Sequence, residues 1–353
     1  MIKKRLHYLF ILVPLLFYFA TTSRYIGSPD TTILMDAMMK PVINTFACNH
    51  NLTNLLGFLI HYLPFQPLAF RFHLVSTICG SAAIILFYII LLRLGASRTI
   101  ASICSGIFMV SHSMWWHSTI VENYALNIVF ILTCLLLVLL DQEKRKLGLK
   151  PIFYITALFF LAGLSLFNHI QNILLTVSSF VYLFLLVPKY NSKITKTVLL
   201  SLIAYLVGLS PYIFTVIFEV LHGAHPAEIL YQATGGGFKQ LMFQYDFPSS
   251  FSNLARWILL QFPSPFLFFI PLGIGISIFD KNHRLFFTFI YIILLVNTVF
   301  FMGYVTWDQF AFYLPSFTML ALLGSYSAIR ISRKITKRTH KQLLVASLIL
   351  SLL

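Results

Sequence analysis

Apolar positions along this chain come in long blocks, not in alternation with polar ones. The blocks lie near 6–22, 70–92, 99–115, 121–140, 151–167, 172–188, 197–218, 257–279, 284–303 and 309–329, and a last one starts near 342. Blocks of this kind predict helices of roughly 20 residues that cross a bilayer. The expected fold class is all-α, a polytopic transmembrane helix bundle of about eleven spans forming a single domain over 1–353. A β-barrel would instead show segments of roughly ten residues with alternating hydrophobicity. The block from 342 reaches Leu353 and is too short to cross, which leaves two readings, a chain that ends there or a fragment with its last span truncated. The first block follows a basic start, "MIKKRL", as a signal peptide would, but no small-x-small site follows it, which favours an uncleaved first span.

Two polar stretches interrupt the rhythm, 22–69 and 219–256. The first holds "SPDTTILMDAMMKPV" and "NLTNLLGFLIHYLPF". Both are half apolar and read as helices lying in the membrane interface. The second holds "HGAHPAEILYQATGGGFKQLMFQYDFPSS". Its three glycines form a hinge or turn and lack the Gly-Lys-Ser/Thr of a phosphate-binding loop.

Composition agrees with a membrane protein: 59% hydrophobic and 10% charged residues, against about 25% charged in a soluble domain. The four cysteines form no C-x-x-C pair and imply no disulfide framework. Charge then gives sidedness. With the N-terminus in the cytoplasm and sides alternating, 20 of the 25 Lys and Arg residues fall inside, a strong positive-inside bias. The run "RISRKITKRTHK" is therefore a topology anchor on the inner leaflet. It has no interleaved aromatics for base stacking, so no nucleic-acid partner is expected. Seven of the ten acids and eight of the eleven histidines fall on the outer side. The face that carries acid, base and ligand groups thus points away from the cytoplasm.

Several outer groups stand at the ends of spans. Asp30 follows the first span and suits an N-cap for "TTILMDAMM"; it could equally be a general base at the membrane surface. Glu122, in "HSMWWHSTIVENYALN", starts the fourth span among Trp115, Trp116 and Tyr124. The helix dipole favours an acid there, but a carboxylate within the interfacial belt also wants a polar cavity and a partner, which His117 could supply. "LSLFNHIQN" places Asn168, His169 and Asn172 at one outer junction, and "YVTWDQFAFYLP" places Asp308 at another. "HGAHPAE" spaces His222, His225 and Glu228 by three, but Pro226 interrupts a common face, so no metal site is indicated.

The order of these features resembles the GT-C superfamily of membrane glycosyltransferases, most closely the family related to protein O-mannosyltransferases. The residues that carry the likeness are "SPDTTILMDA", "CNHNLTNLLGFLIHYLPF", "FRFHLVSTICG", "WWHSTIVENYALN" and "GLSLFNHIQN", up to about residue 190. "ENYALN" is the most specific of them. The chain departs from the pattern at Ile33, where a second acid is usual, and at Asn51-Leu52-Thr53, where Pro-Pro-Gly usually follows the His.

The resemblance implies an integral membrane enzyme in a bacterial cytoplasmic (inner) membrane, with its active face periplasmic. Its donor would be a polyprenyl-phosphate-linked sugar, with no further cofactor. Its acceptor would be a hydroxyl on a protein, lipid or glycan. Asp30 would be the base and Glu122 would orient a partner or hold a sugar hydroxyl. His50, Arg71, His117, Tyr124, Asn168, His169 and Asp308 would bind substrate, with Lys239 and Arg256 as further cations for the leaving phosphate. Two other readings stand beside it, a transporter or lipid flippase and a non-catalytic membrane assembly partner. A flippase calls for polar groups near the bilayer midplane and related halves with broken helices, and the polar groups here gather at one face.

Overall fold

A computed structural model describes residues 2–27, 29–40, 43–46, 49–65, 67–149, 152–186, 194–306, 308–335 and 337–352; for 2–11, 29, 30, 194, 195 and 338 it describes the backbone alone. Among these residues there are helices and turns but no strand. In chain order the helices are α1 (Ile2–Thr21), α2 (Pro29–Met39), α3 (Asn51–Ile60), α4 (Leu68–Arg93), α5 (Arg98–Val110), α6 (His112–Thr119), α7 (Tyr124–Lys146), α8 (Ile152–Ser165), α9 (Ile173–Leu186), α10 (Ile194–Leu221), α11 (Pro226–Ala233), α12 (Phe247–Gln261), α13 (Phe269–Ile278), α14 (Arg284–Met302), α15 (Gln309–Phe312), α16 (Leu314–Lys334) and α17 (Arg338–Leu350). Of the described helices, α4, α7, α10, α14 and α16 are long and apolar enough to cross a membrane, and shorter apolar helices lie among them. The chain is an integral membrane protein with an all-helical fold; helix length alone does not fix the number of spans at eleven.

Two apolar blocks are each divided. The block 99–115 bends at Ser111, which is extended (ψ 140°) between α5 and α6. The block 257–279 is broken between α12 and α13, where Phe262 leaves the helix and Ser264 caps a short turn by accepting from Phe266 N (3.3 Å). Pro263 and Pro265 flank that cap, and neither can donate to a continuing helix. Short helices α2 and α3 occupy the first long polar stretch, and α11 with the start of α12 occupies the second. Pro226 does not interrupt a helix but starts one: it is the first residue of α11, and His225 caps it by accepting from Ala227 N (3.2 Å).

α4 and α7 form the centre. Phe87 of α4 stacks on Phe108 of α5 (centroids 4.7 Å apart), and both are fully buried. The Tyr18 hydroxyl of α1 donates to the Met109 carbonyl (2.9 Å), and Thr22 shares a hydrogen bond with Thr77 of α4 (2.6 Å). In a bilayer the lipid is as apolar as the side chains, so association rests on close packing and hydrogen bonds more than on burial from water. Glycines make that packing possible. Gly163 of α8 lies on the backbone of α10 at Tyr205, and Gly208 of α10 lies on the backbone of α8 at Phe160. A side chain at either point meets main chain, which cannot swing away. We expect Gly208→Leu to lower stability by about 1–3 kcal/mol or more, read as a fall in the thermal midpoint in detergent. Gly275→Ala, which meets open space, leaves the midpoint unchanged. Away from α8, α10 turns apolar side chains outward, among them Leu199, Leu206, Val207 and Phe214.

The ends of α7, α9 and α14 farthest from Tyr124 carry ion pairs. Arg145 grips Asp141 through two hydrogen bonds (2.6 and 2.9 Å), and the Tyr182 hydroxyl adds a third (2.6 Å). Arg93 pairs with Glu143 (3.2 Å). Asp280 accepts from Tyr326, from His283 Nδ1 (3.0 Å), from the Asn282 N–H (2.8 Å) and from Arg330 (3.5 Å).

Candidate active site

The opposite end, where α7 begins, gathers polar side chains from the first long stretch, from α6 and from the α8–α9 junction. Asn168 is the hub and is 1% exposed. Its Oδ1 accepts from both the backbone N–H (3.2 Å) and the hydroxyl (2.6 Å) of Thr53 at the start of α3. Its Nδ2 donates to Asn127 Oδ1 (2.7 Å) and to the Asn123 carbonyl (3.4 Å). Asn172 Nδ2 also donates to Asn127 Oδ1 (2.8 Å). Buried amides of this kind persist in an apolar bundle only when satisfied, and here they bolt the first polar stretch to α7 and α9. The network continues through Gln171, which donates to Asn297 Oδ1 of α14 (2.9 Å) and to the Phe312 carbonyl (2.8 Å).

On this platform His50 and His169 stack face to face, with centroids 4.9 Å apart and planes at 20°. His50 Nδ1 lies 3.2 Å from the Asn168 carbonyl, so this nitrogen carries the proton and Nε2 is an acceptor. His169 Nδ1 accepts from the Gln171 N–H (3.0 Å), so its Nε2 carries the proton. Burial pushes the His50 imidazole down to about 4, against the pull of the Asn168 carbonyl. Burial and then the neighbouring His50 hold His169 well below its ordinary value. Both rings are therefore neutral near pH 7 and offer one acceptor and one donor. They line a small, half-open pocket of about 40 Å³ together with Asn44, Asn49, Asn168 and, from the second polar stretch and the helix before it, Tyr212 and Gln232. Thr45 lines one side, and Glu219 holds it: the Glu219 carboxylate accepts from the Thr45 N–H (3.2 Å) and from its hydroxyl. The two long polar stretches thus meet.

Tyr124 links the histidine pair to His117, its ring 6.0 Å from His169 and 4.7 Å from His117. His117 is 3% exposed, and neither ring nitrogen has a hydrogen-bond partner among the described residues. Burial, with His112 adding, drives it down to about 3. A buried polar ring without partners costs about 1–3 kcal/mol. We therefore expect His117→Phe to hold or raise the thermal midpoint while lowering any activity in which a ligand supplies the missing partner. Equal activity would make His117 a packing residue only.

The other residues singled out by the sequence sit as follows. Glu122 lies in the connector before α7; its backbone N–H donates to Ser76 Oγ and its carbonyl accepts from the same hydroxyl (both 3.0 Å). Arg71 on α4 donates to the His61 carbonyl. Asp308 accepts from Thr306 Oγ1 (2.7 Å) before α15. Asp30 falls inside the first turn of α2, one residue after its start, so it does not cap that helix as its sequence setting suggests; its side chain lies outside the described residues. Of the predicted set, His50, Asn168 and His169 line the pocket, with Tyr124 and His117 in ring contact behind them; Glu122, Arg71 and Asp308 are not among its lining residues. Sequence reading did not single out Asn127, Thr53, Gln171 or Asn297. A lone Asn inside an apolar span, as in "LLVNTVFF", is the signal that could have found the last of these.

The fold is similar to those of solved GT-C glycosyltransferases. It aligns with the crystal structure of ArnT from Cupriavidus metallidurans bound to undecaprenyl phosphate at a TM-score of 0.68 and 13% identity, over 96% of this chain and 62% of that one. It aligns with the archaeal oligosaccharyltransferase AglB from Archaeoglobus fulgidus, in complex with an inhibitory peptide and a dolichol-phosphate, at 0.59 and 12% identity, over 99% of this chain and 55% of that one. More particularly, residues 50–194 match the family described as the Protein O-mannosyl-transferase TMEM260 N-terminal domain. Mouse Protein O-mannosyl-transferase TMEM260 is 29% identical over 164 residues, 46% of this chain and 23% of that protein. The chain thus spans less than a quarter of that relative's length. The matched segment begins at His50 and contains Arg71, His117, Glu122, Tyr124, Asn168 and His169.

Proposed function

We propose that this protein is a membrane glycosyltransferase that moves a sugar, a hexose such as mannose, from a polyprenyl-phosphate carrier to a hydroxyl on a protein, lipid or glycan. The transfer takes place on the periplasmic side of a bacterial cytoplasmic membrane, where the charge pattern puts the polar face. The observation that carries this reading is the pocket built around the His50–His169 pair. It is lined by neutral donors and acceptors, joined to both long polar stretches, and sits where apolar helices end, within reach of a donor whose tail stays in lipid. Structural relatives holding undecaprenyl phosphate or dolichol-phosphate support a carrier of that class.

In this mechanism Asp30 takes the proton from the acceptor hydroxyl. The oxygen attacks the anomeric carbon from the face opposite the phosphate, the carbon–oxygen bond to the phosphate breaks, and the configuration inverts. A base must lie within about 3 Å of the proton it takes, or one water away. The leaving phosphate keeps the electron pair and needs donors aimed at it. His169 Nε2–H, Arg71 and His117 are the candidates, and an arriving phosphate would favour protonation of rings that burial holds neutral. Glu122 orients a partner or a sugar hydroxyl. The test is to reconstitute the protein with polyprenyl-phosphate mannose, labelled in the sugar, and envelope extract as acceptor. Label leaving the carrier for protein, lipid or glycan supports the reading. Label that stays on the carrier for mannose and for every other hexose tried overturns it.

A further inference from the structure

The membrane face opposite the candidate active site carries a second, larger cavity, half open and of about 820 Å³, between the far ends of α7, α9 and α14. Gln142, Arg145 and Lys146 line it from α7, Leu185 and Leu186 from α9, Lys281 from the turn before α14, and Arg284 and Leu285 from its start. We propose that this cavity holds the headgroup of an anionic phospholipid from the leaflet opposite the active site. The assignment is independent of the proposed glycosyl transfer.

Three observations lead there. First, the charge is uncompensated. The acids near this end, Asp141, Glu143 and Asp280, are each engaged already: Asp141 by Arg145 and Tyr182, Glu143 by Arg93, and Asp280 by Tyr326, His283 and Arg330. Lys146, Lys281 and Arg284 line the cavity with no ion-pair partner among the described residues. Second, the cations are combined with leucines at the ends of apolar helices. That suits a phosphate continued by an acyl chain better than a free ion. Third, the cavity opens between helices where α7 and α14, both long enough to cross the bilayer, leave the apolar zone. Basic pockets in that position are the general form of anionic-headgroup sites. The two face-to-face clusters of the protein thus differ in kind: neutral imidazoles and amides at one end, fixed cations at the other.

The test uses the full chain in nanodiscs of phosphatidylcholine, with and without phosphatidylglycerol, read by thermal midpoint and by native mass spectrometry of retained lipid. The wild type should keep phosphatidylglycerol through detergent exchange and melt at a higher temperature with it than without. Each cation near a membrane surface is worth about fivefold in affinity, so K146Q/K281Q/R284Q should retain phosphatidylglycerol more weakly by on the order of a hundredfold. The charge-keeping variant K146R/K281R/R284K should retain it as the wild type does, which separates lost charge from lost folding. Equal retention by the wild type and the neutral variant overturns the site, as does loss of retention in the charge-keeping variant. Inorganic phosphate that stabilises as well as phosphatidylglycerol, and displaces it, assigns the cavity to a free anion and overturns the lipid. Transfer activity is not a readout here, so the two proposals stand or fall separately.

Discussion

Asp30→Asn is expected to reduce sugar transfer by on the order of 10²–10⁴-fold, the usual contribution of a positioned general base. The amide has nearly the shape of the carboxylate but cannot take a proton from the acceptor hydroxyl. The fold should not register the change. α2 is held through Leu34, Met35 and Met38, all buried against Ala69, Phe72 and Val121, and by the close seat of Met38 on Gly57 of α3. The thermal midpoint is the control, and donor binding should also survive, because in the proposed mechanism the lost group acts on the acceptor. Glu122→Gln gives a second reading. If Glu122 orients a cation or a sugar hydroxyl, its loss weakens binding as well as rate. Undiminished transfer by both variants removes both assignments and leaves the pocket without a base.

The second large effect is structural and falls on Asn168. Asn168→Leu fills similar space but strips partners from the Thr53 N–H and hydroxyl, both at a buried residue, while Asn127 Oδ1 keeps only Asn172 Nδ2. Each buried polar group left unpaired costs about 1–3 kcal/mol. The variant should therefore lose several kcal/mol, or fail to reach the membrane folded. A milder pair measures the coupling. Thr53→Val and Asn168→Ala, alone and together, should be non-additive by about 0.5–3 kcal/mol, as expected for partners in one network. Additive losses would mean that Thr53 and Asn168 do not hold the first polar stretch in place.

The helices could be read from the chain, because block length answers to the bilayer directly, and the basic loops and the placement of acids set the side on which the chemistry is expected. "ENYALN" and "FNHIQN" mark the polar face for the same reason: Asn and His are costly at such positions unless they find partners. What the pattern does not hold is who those partners are. That His50 stacks on His169 depends on the α8–α9 junction meeting the start of α3, more than a hundred residues earlier in the chain. Glu219 reads as one more outer acid, yet it holds Thr45 of the pocket wall. The broken blocks at Ser111 and Phe262 escape a hydropathy reading because their flanks stay apolar through the break. Asp30 shows the limit of cap rules. Pro29 starts the helix, as proline often does at a first position, so the acid stands one step inside.

The packing of α10 has a consequence for how the protein responds to its surroundings. It is clasped on one side by the Gly163–Gly208 crossing, while much of its remaining surface is apolar and outward-facing. Yet it contributes Tyr212 to the pocket and Glu219 to the latch on Thr45. A helix so placed adjusts its tilt to the thickness of the hydrocarbon around it, and tilting it moves both residues. Acyl-chain length would then set how wide the pocket stands, so that the bilayer itself meters what enters it.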